Sequence, residues 1–440
     1  MCRRFRGFAG LVLALFAWAE ILHAQDAPDS LTISRAVEQA LAQNPTIRAA
    51  REEVSAAKAR ISAARAGLLP NVSAEVQHTR VTNIPSFEIP SLGPGIPPRE
   101  VTAAAADNTI GLLAARQSLY TGGRTRAQVS RAEALYDLAL ARLGTAEAEI
   151  AFQTREAYYA FLLSRSLVAS AEKDLAAAGE QLSSAQAKFD AGTAPRFDVL
   201  RAETQVSEAE QRLAEAKSRV EIAAVALNRL IGTPLGESHT LVEAPLSPAP
   251  EESLASLIET AGRQRAELLA ARAQSAAAEA GIRLARSARL PQVGLSANYQ
   301  VVAEETPAQT TGWTFIASIG LEVFDGGRIR ANVKESEALR NEARFNLEDA
   351  ERAVEQEVRR EYLNLQTARG TLETAKARLA QAREAYDVAA VRYESGVGTA
   401  VELADALAAL TAARANQDQA TFNYNTAYAG LQRALGRSTY

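Results

Sequence analysis

Three histidines, one cysteine and one methionine are all that this 440-residue chain offers to metal or thiol chemistry. His23, His78 and His239 are scattered, and Cys2 and Met1 sit at the very start. A disulfide framework, a structural zinc site and a thiol nucleophile therefore lack their parts. A copper or silver path lacks the soft ligands it would use. Carboxylates are plentiful, but the pairs Glu52/Glu53 and Glu251/Glu252 lie in charged helical stretches, where solvated faces and helix starts account for them. Glu402 and Asp405 are three residues apart, which puts two carboxylates on one helix face. First-turn acids are favoured by the helix dipole by ~0.3–1 kcal/mol with no further role. Tyr158 and Tyr159 read as packing residues. No Gly-x-Gly-x-x-Gly, phosphate-binding loop or His-Glu-x-x-His occurs. Neither an enzyme nor a cofactor is expected.

What positions these residues is a long, alanine-rich framework. The chain is 47% apolar, enough for a sizeable core, and 48 basic against 52 acidic side chains argue against nucleic acid as a partner. Arg3, Arg4 and Arg6 precede an apolar run from Phe8 to Trp18, and Ala24 closes the segment, so 1–24 reads as a secretory signal peptide. No other segment has 18 consecutive apolar residues, which excludes a helical membrane span. All fifteen prolines avoid 99–194, 196–233 and 308–440, so very long helices can form there. Val199, Val206, Leu213, Val220 and Leu227 form a seven-residue ladder, with Ala202, Ala209, Ala216, Ala223 and Leu230 interleaved. Val358, Leu365, Leu372, Leu379, Tyr386 and Tyr393 form another, flanked by alanines. Large residues alternating with alanine let helix axes approach to about 8 Å.

The pattern repeats. Phe161, Val168, Leu175, Leu182 and Phe189 lie 204 residues before Leu365, Leu372, Leu379, Tyr386 and Tyr393. Tyr120 to Arg124, with Gly122 and Gly123, matches Phe324 to Arg328, with Gly326 and Gly327, at the same offset. Upstream, Arg65 to Pro70 matches Arg286 to Pro291 at 221, so the first copy carries 17 extra residues in a loop where five prolines cluster in 85–98. Between these anchors the period drops to two. Val293, Leu295, Ala297, Tyr299 and Val301 alternate with polar or small residues, as do Trp313, Phe315, Ala317, Ile319, Leu321 and Val323. The first copy offers Val72, Ala74 and Val76 on one face of 71–80, and a strand at 108–120 whose facing the alternation leaves open. About ten alternating residues suit either a soluble hairpin or a tilted membrane strand. Four strands cannot close a barrel, which takes about eight, so an oligomer that pools strands is expected.

In these features the chain resembles the TolC-type outer-membrane efflux protein family. The likeness runs from Leu31–Ala36 and Gln43–Pro45 to Gly436, through the duplicated Gly-Gly-Arg turns and the hairpin around Gly192, Thr193 and Phe197–Leu200. It implies a mainly α fold with a membrane β-barrel portion. Two tandem repeats, each with a β-hairpin and long antiparallel coiled-coil helices, would trimerise into a 12-stranded barrel plus α-helical tunnel. The boundaries expected are a first repeat at 25–232 (strands 70–80 and 108–120, helices 126–189 and 197–231), a Pro-rich linker at 233–251, and a second repeat at 252–440 (strands 291–302 and 312–324, helices 330–394 and 400–436).

The resemblance also implies an exit duct of a tripartite efflux or type I secretion system in the outer membrane. Its partners would be two further copies, a periplasmic adaptor (membrane fusion protein), an inner-membrane RND or ABC transporter, and outer-membrane lipid. Tyr393 fills the family's gate-tyrosine position, Glu402 and Asp405 its inward carboxylates, and Asp198 an acidic residue that pairs with an arginine of the neighbouring turn; Gly398 stands at that arginine's position. Gly192, Thr193, Gly396 and Val397 would form adaptor-docking tips, and Trp313, Phe315, Ile319 and Leu321 a lipid-facing strand. The competing reading is a secreted or periplasmic coiled-coil structural or adaptor protein without a channel, which explains the heptads and leaves the duplicated hairpins without a purpose. The transported substrate, drug or protein, is not encoded in any motif.

Overall fold

The computed structural model describes residues 30–82, 86–91, 93–95, 97–102, 107–248, 252–303 and 310–437; the expected leader lies outside them. The first half runs β1 (Ser30–Leu31), α1 (Ile33–Gln43), α2 (Pro45–Ala66), β2 (Asn71–Arg80), β3 (Ser86–Ile89), β4 (Arg99–Thr102), β5 (Asp107–Tyr120), α3 (Arg124–Asp190) and α4 (Arg196–Ile231). The second runs β6 (Thr240–Leu241), α5 (Leu254–Gln264), α6 (Ala266–Ser287), β7 (Gln292–Val302), β8 (Gly312–Gly320), α7 (Arg328–Glu394) and α8 (Ala400–Ala434).

With no proline to interrupt them, α3 and α7 each run for 67 residues, about 100 Å at 1.5 Å per residue. Each starts at a glycine pair in the left-handed region, Gly122/Gly123 and Gly326/Gly327. A side chain at Gly122 would come within 2.7 Å of the Ser287 carbonyl, so backbone approach as well as φ requires glycine there. Helix α3 packs along α4, and α7 along α8; α6 lies against both α3 and α7, and α8 against α3. Each repeat has its own core. One gathers Ile47, Tyr158, Phe161, Leu227 and Ile231; the other gathers Leu268, Val358, Leu365, Leu372 and Leu431. No described helix is long and apolar enough to cross a membrane.

At mid-height β1 pairs in parallel with β6, within the segment 233–251. The hydroxyl of Tyr158, fully buried, donates toward the carbonyls of Leu31 and Val242 at 2.8 and 2.7 Å. Burial pushes its pKa up to about 12. Further along, Tyr424 donates to the Ser247 carbonyl at 2.9 Å and Asn425 accepts from the Ser247 amide. The inter-repeat segment is thus strapped to both halves.

The main sheet is antiparallel in the order β2–β5–β7–β8. Its register answers the open facing question. Val72, Ala74 and Val76 oppose Ala115, Leu113 and Gly111. Gly111, Leu113 and Ala115 in turn oppose Val301, Tyr299 and Ala297, and Tyr299, Ala297, Leu295 and Val293 oppose Trp313, Phe315, Ala317 and Ile319. One face is therefore mainly apolar across all four strands, interrupted on β5 by Gln117, which opposes Leu295. A bulge between Ser118 and Tyr120 sets Tyr120 opposite Val293, moving an even-numbered residue onto that face. Two expectations change. The proline-rich loop holds the β3–β4 hairpin, and β8 ends at Gly320, so Leu321 lies just beyond the strand. The ladder stops there because Gln292, the first residue of β7, already pairs with Gly320, and Pro291 before it has no N–H to offer.

Candidate functional site

The far ends of the long helices carry the residues singled out for gating and docking. Both turns are built alike, 204 residues apart. Gly192 (φ 75°) donates to the Phe189 carbonyl, and Thr193 and Ala194 donate to that of Lys188. Gly396 (φ 78°) donates to Tyr393, and Val397 and Gly398 donate to Arg392. This glycine-centred C-cap satisfies the last helical carbonyls and needs a left-handed residue. Thr193 and Val397 ride exposed at the apex, Val397 at 70%.

The turns differ where the return helix starts. Pro195 caps α4 without a side-chain bond, whereas Thr399 forms a capping box with Glu402. Thr399 Oγ1 accepts from the Glu402 amide at 3.2 Å, and the Glu402 carboxylate accepts from the Thr399 amide at 3.4 Å. The same carboxylate lies 3.8 Å from Arg392. Glu402 and Asp198 occupy equivalent positions, in the first turns of α8 and α4. Asp405 is exposed, one turn further on. The structure does not bring Asp198 into an ion pair among the described residues, and at Gly398 an added Cβ would stand 3.0 Å from Arg392 and the Tyr393 nitrogen.

Tyr393 is buried, and its neighbour is a residue that the sequence reading missed. The Lys188 ammonium stands 3.2 Å from the Tyr393 ring centroid and donates to the Tyr393 carbonyl at 3.3 Å. The available signal was the repeated basic–aromatic pair, Lys188–Phe189 and Arg392–Tyr393.

At the other end, Trp313 stacks on Phe315 with ring centroids 5.8 Å apart and lies 5.0 Å from Tyr299. Phe315 and Ile319 are more than three-quarters exposed, and Leu321 is exposed beyond the strand. Between the ends, Arg265 is buried at the α5–α6 junction. It reaches Glu267 at 2.8 Å and Glu357 at 2.6 Å, while Arg433 joins Glu357 to Glu149 at 2.7 Å each. These groups hold helices together. Among the described residues no group of three His, Cys, Asp or Glu side chains could hold a metal ion.

Known proteins share this architecture. Residues 36–233 and 257–437 match the family described as outer membrane efflux protein. Outer membrane efflux protein BepC of Brucella suis is 28% identical over 334 residues, covering 73% of this chain and 71% of that protein. Outer membrane protein TolC of Escherichia coli is 22% identical, covering 91% and 81%. Among solved structures, the open state of the Neisseria gonorrhoeae MtrE outer membrane channel superposes with a TM-score of 0.76 at 21% identity, covering 93% of this chain and 90% of that one. The family match spans both repeats and breaks only across the inter-repeat segment, so this chain belongs to the outer membrane efflux protein family.

Proposed function

We propose that this chain is the exit duct of a tripartite efflux or type I secretion system, acting as a homotrimer with a periplasmic adaptor and an inner-membrane RND or ABC transporter. The family makes it an outer-membrane efflux channel and not an enzyme. One observation carries the finer reading: a four-stranded sheet with one mainly apolar face stands on helices about 100 Å long. Three copies pool twelve strands, removing the free edges at β2 and β8 that a single sheet would expose in lipid. Strands of nine to eleven residues in β2, β7 and β8 match the span of a tilted membrane strand. Tyr299, Trp313 and Phe315 lie toward one edge of the apolar band, and Tyr120 and Phe324 toward the other, as aromatic girdles do.

Tyr393, Glu402, Asp405 and Asp198 form the periplasmic gate in this reading, and Gly192, Thr193, Gly396 and Val397 form six tips that meet the adaptor. The decisive experiment is purification in mild detergent followed by mass measurement and bilayer recording. A conducting trimer supports the duct; a stable water-soluble monomer overturns it.

A further inference from the structure

We propose that Arg378 of one copy pairs with Glu210 of the next, repeating an ion pair of the in-chain helix seam with its charges exchanged. The inference rests on the homotrimer proposed above and names residues that set how its copies meet. Within one copy the four longest helices run side by side as α4, α3, α8 and α7. The outer flanks of this row are α4 and α7, so a closed ring brings α7 of each copy against α4 of the next. The 204-residue offset makes that seam the counterpart of α3 against α8. It holds at both ends of both hairpins, from Gly122 and Gly326 through Gly192 and Gly396 to Gly232 and Gly436. Contacts between α3 and α8 therefore predict contacts between α7 and the next α4, residue by residue.

Asp174 on α3 lies 3.7 Å from Arg414 on α8. At the 204-residue offset their counterparts are Arg378 on α7 and Glu210 on α4, again one acid and one base but on opposite sides of the seam. Both are exposed, and neither makes an ion pair within its own copy among the described residues. The residues three and four places from each along its helix carry no charge. Neighbouring positions agree. Tyr159 on α3 is 8% exposed and its counterpart Leu363 on α7 is 59% exposed; Ala429 on α8 is 1% exposed and its counterpart Val225 on α4 is 44% exposed. Ser166, which donates to Asp418, corresponds to Gly370, and Asp418 to Ala214. A Cβ at Gly370 would meet no atom within 4 Å in its own copy. A glycine that weakens the middle of α7 thus leaves room for the next copy's helix. The Glu149–Arg433 tie is not carried over, since Ala353 and Arg229 stand at its counterparts. The exchanged charges also oppose the wrong closure. Two first-repeat hairpins side by side would set Asp174 against Glu210, and two second-repeat hairpins Arg378 against Arg414.

The test is charge exchange in the full-length protein, read as the trimer-to-monomer ratio in mild detergent. Glu210→Arg and Arg378→Glu should each lower that ratio roughly tenfold, because each sets like charges face to face. The double variant Glu210→Arg/Arg378→Glu restores an attractive pair and should return the ratio to within about twofold of wild type. A second measurement does not depend on the yield of the reversed chains. Glu210→Cys/Arg378→Cys, treated with a short bifunctional maleimide, should give covalent dimers and trimers, and neither single cysteine should. Single reversals without effect, a double reversal no better than the worse single, or a double cysteine that links no copies overturns the pair while the trimer stands. A wild type that never trimerises overturns the homotrimer itself.

Discussion

Asn44 and Arg265 occupy the same place in the two repeats, each buried at the junction of two helices and each tied to the end of its repeat's last helix. Asn44 donates to the Leu230 carbonyl at 3.0 Å, and Arg265 donates to the Ala434 carbonyl at 3.0 Å. Residues 44 and 265 are 221 apart, and 230 and 434 are 204 apart, the two offsets of the internal repeat. The duplicated scaffold kept the bond and changed its chemistry. In the first copy a neutral amide also caps α2 by accepting from the Thr46 amide. In the second a guanidinium gathers Glu267 and Glu357.

The two junctions should therefore fail differently. Asn44→Ala removes a cap and one carbonyl partner and should cost about 1–2 kcal/mol. Arg265→Leu strips Glu267 of the guanidinium that bonds it, leaves Glu357 with Arg433 as its close partner, and should cost about 3 kcal/mol or more. Denaturant melts of the detergent-purified protein measure both. Equal losses would show that the carboxylates around Arg265 are adequately solvated without it.

Acid should find the second junction first. Burial works to raise the Glu267 pKa, but hydrogen bonding to Arg265 and its charge, with Arg433 behind it, hold the carboxyl below its ordinary value of 4.5. A depressed folded-state pKa contributes stability above the unfolded value, and that stability is lost as pH falls through the folded one. Wild type should thus be more stable than Glu267→Gln near neutrality, with the gap closing below pH 4.5. Melting temperatures across that range provide the check; a gap that stays constant in acid would mean Glu267 is not titrating as part of the cluster.

Glu402 and Asp405, proposed above for the gate, should not contribute equally. Glu402 is engaged by the Thr399 amide and lies beside Arg392, whereas Asp405 is exposed with no ion pair among the described residues. Three copies of Asp405 around one opening would focus a negative potential there. Asp405→Asn should reduce cation selectivity and block by trivalent cations more than Glu402→Gln. Glu402→Gln can keep the capping box, since glutamine also suits that position. Reversal potentials in a salt gradient decide between them, and equal small effects would make both acids ordinary helix-start residues.

Fold class was legible because its signals are local and duplicated. Val199 to Leu227 and Val358 to Tyr393 show their seams in one dimension, and the glycine pairs mark where each long helix starts. The facing of β5 was not legible. Ile110, Leu112 and Leu113 put apolar side chains on both faces, and the bulge at Ser118/Tyr120 breaks the alternation that would have settled it. The site was legible only in part. Tyr393 and Glu402 lie at a turn that announces itself by Gly396, but Lys188 meets Tyr393 across 205 residues. Nothing in a heptad distinguishes that lysine from one facing solvent. Arg265 was hidden likewise, since its partner Glu357 is 92 residues away.

Docking at the tips should be separable from folding at the tips. Val397 is exposed at the apex, and its side chain is not needed by the turn, which is fixed by backbone bonds from Gly396, Val397 and Gly398. Thr193 is nearly as free, giving up only its hydroxyl bond to the Lys188 carbonyl. Val397→Arg should leave trimer yield and melting within about 0.5 kcal/mol of wild type, as surface changes usually do. Thr193→Arg should cost at most about 1 kcal/mol for the lost bond. Each places a large charge on the proposed ring of six tips, three from each turn, and should abolish export if that ring is where the adaptor's helices abut. Gly398→Leu supplies the contrast, because it forces a side chain against the Arg392 backbone and should lower stability itself. Export assays in cells, read beside trimer yield, separate the cases: normal export by Val397→Arg would mean the partner docks elsewhere, and lost trimer would mean the apex is structural.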